Sequence, residues 1–128
     1  MILLDTDVAV NVLRQRPSAV QWWHSLDPAI AAAVPGYVAL ELADGCQNST
    51  DLAALARFLR PLQLVWLSED QSDRAMHTYT SIRLSNALDP LDILIAQTAI
   101  VLGEPLNTFN QKHSNAVAKL RTVQPYAR

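Results

Sequence analysis

Short apolar runs alternate with longer stretches of helical periodicity along this chain. Ile2-Leu3-Leu4 is an unbroken apolar triplet stopped by Asp5, which predicts a strand, and the residues around Val8–Arg14 follow with helical spacing. Pro17 suits the first turn of a second helix, running to Leu26 and carrying Val20, Trp22 and Trp23. Ile30–Val34 predicts a second strand closed by Pro35-Gly36, and a helix through Val38–Cys46 follows. Asp51 is placed to cap a helix over Leu52–Leu59 that Pro61 stops. Leu62–Leu67 predicts a third strand, with Ser68 as cap of a long helix to about Leu84. Asp89-Pro90 opens the most apolar helix, Leu91–Leu102, which Gly103 and Pro105 end. Leu106–Phe109 predicts a fourth strand, and Val123 lies in a weak fifth one. This alternation argues for a parallel sheet with helices on both faces. Tandem Trp22-Trp23 on one helix predicts that one ring faces outward, towards a partner surface.

The length, 128 residues, predicts one domain over residues 1–128. Half the residues are hydrophobic and only 17% are charged, which excludes disorder and predicts a well-filled interior. The three glycines, Gly36, Gly45 and Gly103, lie too far apart for a Gly-rich phosphate loop. A single cysteine, Cys46, makes neither an internal disulfide nor a Cys-rich zinc site and fits a reducing, cytoplasmic setting. The first residues carry no basic segment and reach an acid at residue 5, so they do not read as a signal peptide. No apolar run approaches the roughly 20 residues that span a bilayer. A net charge of −2 argues against gripping nucleic acid by bulk charge alone.

In an open parallel sheet, ligands bind beyond the carboxyl ends of the strands. Asp5 and Asp7 directly follow the first strand, Asp89 and Asp92 open the apolar helix, and Asn110 follows the fourth strand. Glu41 stands within the apolar segment Val38-Ala39-Leu40-Glu41-Leu42-Ala43, with no Lys or Arg within four residues. A buried carboxylate without a partner is costly unless it meets a cation. Two such charges about 4 Å apart repel by ~4 kcal/mol at an effective dielectric of 20. A divalent cation removes that cost, and an all-oxygen donor set suits Mg²⁺ or Mn²⁺ rather than zinc. Each acid also has a plainer reading: Asp5 and Asp89 as helix caps, Asp92 as the third residue of a capping box, Asp7 as a cap or solvent group, Asn110 as a turn residue.

Three segments together resemble the PIN-domain family and, among its small members, the VapC-type toxins. They are Ile2-Leu3-Leu4-Asp5-Thr6-Asp7-Val8, Val38-Ala39-Leu40-Glu41-Leu42, and Leu91-Asp92-Ile93-Leu94-Ile95-Ala96-Gln97-Thr98-Ala99. Leu106-Asn107-Thr108-Phe109-Asn110 and Lys112-His113 extend the likeness to about residue 115. The resemblance implies a three-layer α/β/α sandwich around a mostly parallel sheet of four to five strands. It implies a Mg²⁺- or Mn²⁺-dependent endoribonuclease acting on structured RNA, often tRNA or rRNA, restrained by a cognate antitoxin. A homodimer, or a hetero-oligomer with the antitoxin, is the assembly expected. Carried over, Asp5, Glu41 and Asp92 are the metal-binding and catalytic acids, and Asn110 occupies the position of a fourth acid or its amide. Thr6 and Thr108 are the hydroxyls that orient the acids. Ser114 stands where the family usually has an aromatic residue.

For the RNA grip, Arg14 and Lys112 are the best-placed cations. Two other readings compete. A haloacid-dehalogenase-type phosphatase shares the opening Asp-x-Asp, but this chain's lysines, Lys112 and Lys119, both follow Asp92. A receiver-like domain phosphorylated on Asp70 leaves Glu41 unexplained.

Overall fold

Asp5 interrupts the apolar triplet after the third position, so β1 is short: it covers Ile2–Leu4, and Leu3 and Leu4 are fully buried. The computed structural model describes residues 1–128. Around β1 lie β2 (Ala32–Pro35), β3 (Gln63–Val65), β4 (Leu106–Asn107) and β5 (Thr122–Val123), in the order β3-β2-β1-β4-β5. All four pairings are parallel. Seven helices flank this sheet: α1 (Thr6–Leu13), α2 (Pro17–Ser25), α3 (Gly36–Asp44), α4 (Ser49–Leu59), α5 (Glu69–Ile82), α6 (Pro90–Leu102) and α7 (Lys112–Ala116). The result is the predicted α/β fold, with a sheet that is wholly parallel.

The chain leaves β1 through α1 and α2 to reach β2, on one side. From β3 it passes through α5 and α6 to β4, on the other. The strand order therefore reverses between β1 and β4, and a crevice opens at such a reversal, beyond the carboxyl ends of the strands. Asp5, Thr6 and Asp7 leave β1 at that point, and Thr108 leaves β4. The join is fixed by the Asp5 N–H on the Asn107 carbonyl at 3.0 Å. The buried Asn107 amide adds a bond to the Leu3 carbonyl at 3.0 Å.

α6 is apolar on nearly every side because it lies deep: Ile93, Ile95, Ala96 and Ala99 belong to the main core with Leu3, Leu4, Val34 and Leu106. Asp89 starts it, and Gly103, at φ 65°, ends it in the left-handed conformation that glycine adopts without a Cβ penalty. No helix is long and apolar enough to cross a membrane.

Several boundaries differ from expectation. β2 runs Ala32–Pro35 rather than Ile30–Val34, with Pro35 inside it, and α3 begins immediately at Gly36 rather than at Val38. As the last strand residue, Pro35 needs no further ladder donor. Asn48 is the cap of α4; Asp51 lies inside its first turn and accepts the Gln47 N–H. α7, too short for periodicity to reveal, was not expected. The two tryptophans of α2 are both partly covered. Trp22 packs 5.9 Å from the Tyr126 ring, supplied by the chain's end, and Trp23 packs 6.3 Å from Phe58 on α4. The outward-facing tryptophan is Trp66, just after β3.

Candidate active site

Asp5 is the N-cap of α1, and only 7% of it is exposed. Its Oδ1 accepts the Thr6 N–H at 2.7 Å, and its Oδ2 accepts the Thr108 hydroxyl at 2.8 Å. Burial, together with the nearby Asp7 charge, pushes its pKa from 3.8 up to about 6; the two hydrogen bonds and His113 oppose that rise only in part. Thr108 in turn accepts the Asn110 N–H at 3.0 Å, so one hydroxyl ties the loop after β4 to the carboxylate after β1. Asp7 fastens the same loop, with its Oδ2 accepting the Phe109 N–H at 3.0 Å.

Glu41 is carried on α3, whose apolar residues Val38, Ala39 and Leu42 are buried in the core and leave the acid at the sheet's carboxyl edge. Its Oε1 accepts the Thr6 hydroxyl at 3.0 Å. Burial raises its pKa, and the charges of Asp89 and Asp92 raise it further. Asp92 lies in the first turn of α6, where the plainer reading of its role is also correct. Asp89 Oδ1 accepts the Asp92 N–H at 2.9 Å, while Asp92 Oδ2 accepts the Asp89 N–H at 3.1 Å. Burial nevertheless raises the Asp92 pKa as well. The buried ring of His113, on α7, stands 4.0 Å from Asp92 Oδ2 through its Nε2, which also meets the Asn110 amide at 3.0 Å.

Asp5, Glu41 and Asp92 thus share one edge of the sheet. Thr6 bridges Asp5 to Glu41, and His113 is the neighbour that Asp5 and Asp92 have in common. The 4.0 Å approach of His113 Nε2 to Asp92 Oδ2 is the sole contact of a basic side chain with a carboxylate in the protein, so no Lys or Arg neutralises these acids. No three acidic, histidine or cysteine side chains close around a common point as a finished set of metal ligands. Each carboxylate leans instead on its nearest donor: Thr6, Thr108 or the Asp89 backbone. Mutual repulsion between uncompensated charges favours that outcome. The chemistry of the set, all oxygen, raised in pKa and without a cationic partner, fits a hard divalent cation.

Of the remaining expected residues, Arg14 is exposed and lines a cleft of about 450 Å³ that also holds Thr6, Glu41 and Cys46. Lys112 is exposed at the start of α7, and Asn110 is exposed beside it in sequence. A second cleft, about 470 Å³, lies away from the acids between α1, α2 and α4 and is lined by Val12, Val20, Trp23 and Phe58. Sequence reasoning did not anticipate the contacts of His113 with Asp92 and Asn110 or of Asp7 with the Phe109 N–H. The spacing Asn110-x-x-His113, one helical turn, was the available signal for the first.

One consequence concerns Thr108. Replacement by Val leaves the Asn110 N–H without its acceptor and the buried Asp5 Oδ2 without its donor, while Oδ1 keeps the Thr6 N–H. The expected loss is about 1–3 kcal/mol of stability in chemical denaturation, with a further rise of the Asp5 pKa measurable by NMR titration.

The PIN domain family model matches residues 2–119. Ribonuclease VapC19 of Mycobacterium tuberculosis is 34% identical over 115 residues, spanning 88% of this chain and 91% of that protein. The toxin–antitoxin complex VapBC2 of Rickettsia felis, solved bound to a DNA fragment from its promoter, superimposes with a TM-score of 0.80 at 22% identity, covering 96% of this chain and 98% of the other. VapC20 of M. tuberculosis, a toxin that cleaves the sarcin–ricin loop, gives 0.70 at 17% identity over 94% and 99%. The last two likenesses are to the fold.

Proposed function

Because this chain belongs to the PIN-domain family, we propose that it is a divalent-metal-dependent endoribonuclease, the toxin of a VapBC-type toxin–antitoxin pair, acting on structured RNA such as tRNA or rRNA. The observation that carries the reading is the gathering of Asp5, Glu41 and Asp92 at the switch point of the sheet with no Lys or Arg against them. VapC19 is a ribonuclease, and VapC20 cleaves the sarcin–ricin loop, which supports an RNA target.

Asp5, Glu41 and Asp92 would hold Mg²⁺ or Mn²⁺, which when bound supplies charge neutralisation at the phosphate and a more acidic water. Thr108 and the Thr6 N–H fix both oxygens of Asp5, so that carboxylate is oriented before any ligand arrives. Thr6 holds Glu41 by one oxygen, which leaves Oε2 free to orient the attacking water and accept its proton. Asp92 is set by its capping box, and His113 stands within reach of its outer oxygen. Water attack in line leaves a 5′-phosphate and a 3′-hydroxyl, and no side chain acts as a covalent nucleophile. Arg14, in the cleft beside Glu41, and Lys112, exposed at the start of α7, would meet the RNA backbone.

The antitoxin is the proposed protein partner, as in the Rickettsia complex, and the apolar cleft containing Trp23 and Phe58 suits a partner helix. The competing readings lose their footing. Asp70 is exposed within the first turn of α5 rather than at a strand end, and no lysine lies against the acids.

Protein stripped with EDTA should leave RNA intact, and Mn²⁺ or Mg²⁺ should restore cleavage. Undiminished cleavage by the stripped protein contradicts the reading.

A further inference from the structure

Trp66 is the one tryptophan that the fold leaves exposed, at 53%. It follows β3 by one residue, so it sits at the same carboxyl edge as the acids, two strand positions from β1. That offset is about 10 Å at the usual strand spacing. The ring is held firmly despite its exposure. It lies against the backbone of Gly36, the first residue of α3, so closely that a Cβ there would overlap the indole atoms Cδ2, Cε2 and Cζ2. Tyr37 meets it edge-on, with centroids 5.3 Å apart at 77°, and the Tyr37 hydroxyl accepts the Leu67 N–H at 3.3 Å. The helix that Trp66 covers at its start is the one that carries Glu41 a little over one turn later.

A rigid, half-exposed indole on the rim of an acidic crevice has a use in RNA handling. The chain is net negative and offers the RNA backbone few cations near the acids, Arg14 and Lys112, so an uncharged contact would add to substrate binding. Stacking of a base on an aromatic face needs no charge and tolerates any base. We propose that Trp66 is a base-stacking platform, holding a nucleotide of the bound RNA strand beside the scissile phosphate; this rests on the ribonuclease reading above. Trp66 acts on binding, and the acids act on chemistry. The glycine at position 36 is required because only a missing Cβ lets the indole lie flat on α3.

The test compares a fluorescein-labelled oligoadenylate decamer with an abasic decamer of the same charge, by anisotropy, on the Asp5→Asn background so that no cleavage intervenes. The base-bearing decamer should bind at least about tenfold tighter than the abasic one. Trp66→Ala should erase that difference, and so should Trp66→Leu, which keeps an apolar cover over Gly36 without a π face. Trp66→Phe should retain most of it. In the otherwise wild-type enzyme, Trp66→Ala should raise KM about tenfold with kcat unchanged. Equal binding by Trp66→Ala and Trp66→Leu and by the parent overturns the proposal while leaving the ribonuclease reading intact. A changed elution volume of Trp66→Ala on size exclusion with decamer affinities unaltered overturns it too, and makes Trp66 a protein contact. Absence of both binding and wild-type cleavage removes the ribonuclease reading, and this one with it.

Discussion

Asp5→Asn should abolish RNA cleavage, by about a hundredfold or more, while the fold persists. The change swaps one buried oxygen for an amide of nearly equal size, so the cap on α1 and the contact with Thr108 can both be kept. What it removes is the negative charge at the carboxyl edge. Losing a single preorganised electrostatic group in an active site costs about 10²–10³ in rate. Stability gives an independent reading. Burial disfavours the ionised Asp5, so the metal-free variant should melt at or above the parent at neutral pH, not below it. Asp92→Asn should silence cleavage similarly, but the amide must also serve the Asp89 capping box, and a small loss of stability is expected there. Circular dichroism and thermal melts, set beside a cleavage assay, separate the two effects. Full cleavage by either variant would remove that acid from the mechanism.

The second large effect is on stability and depends on pH and metal together. Asp5 has a folded-state pKa of about 6 against an ordinary value of 3.8. Between those values the native protein binds more protons than the unfolded chain. Stability of the metal-free protein should therefore fall as pH rises through this window, by up to about 3 kcal/mol at 1.36 kcal/mol per unit. Glu41 and Asp92, both raised, act in the same direction. A cation bound by the three carboxylates favours their ionised forms and reverses the sign. The stabilisation by Mg²⁺ or Mn²⁺ should grow with pH, reaching about 2.7 kcal/mol at a hundredfold excess over Kd, a rise of on the order of 10 °C in Tm. Melting curves at pH 4, 6 and 8, with EDTA or with millimolar metal, read both slopes. A metal-free protein that gains stability from pH 4 to 6 contradicts the electrostatic description of the site.

Much of this was legible in the sequence because the fold advertises itself by contrast. Ile2–Leu4 ends abruptly at an acid, α6 is too apolar to be anything but buried, and Asp89-Pro90 and Gly103 mark its two ends with residues of one conformational meaning. Glu41 stood out as a charge in an apolar segment; Val38, Ala39 and Leu42 of that segment are indeed in the core, whereas Leu40 is exposed. The hydroxyls of Thr6 and Thr108 bond to the acids they were expected to orient. Other features depend on contacts distant in the chain, which no local pattern encodes. The pairing of Asp7 with Phe109 spans 102 positions, and Trp22 is covered by Tyr126 from the other end of the chain. The seat of Trp66 on Gly36 likewise needs β2 and β3 to be neighbours. Asp92 shows a further limit: its capping-box geometry and its place beside the other acids are compatible, so neither reading of the sequence excluded the other.

Joint uptake of a hard divalent cation by Asp5, Glu41 and Asp92, as proposed above, can be read by calorimetric titration of the EDTA-stripped protein with Mn²⁺. Saturable binding of at least one ion per chain is expected, with the tightest site lost in Asp5→Asn, in Glu41→Gln and in Asp92→Asn alike. Absence of binding at millimolar Mn²⁺, or a tight site that survives all three substitutions, would contradict it.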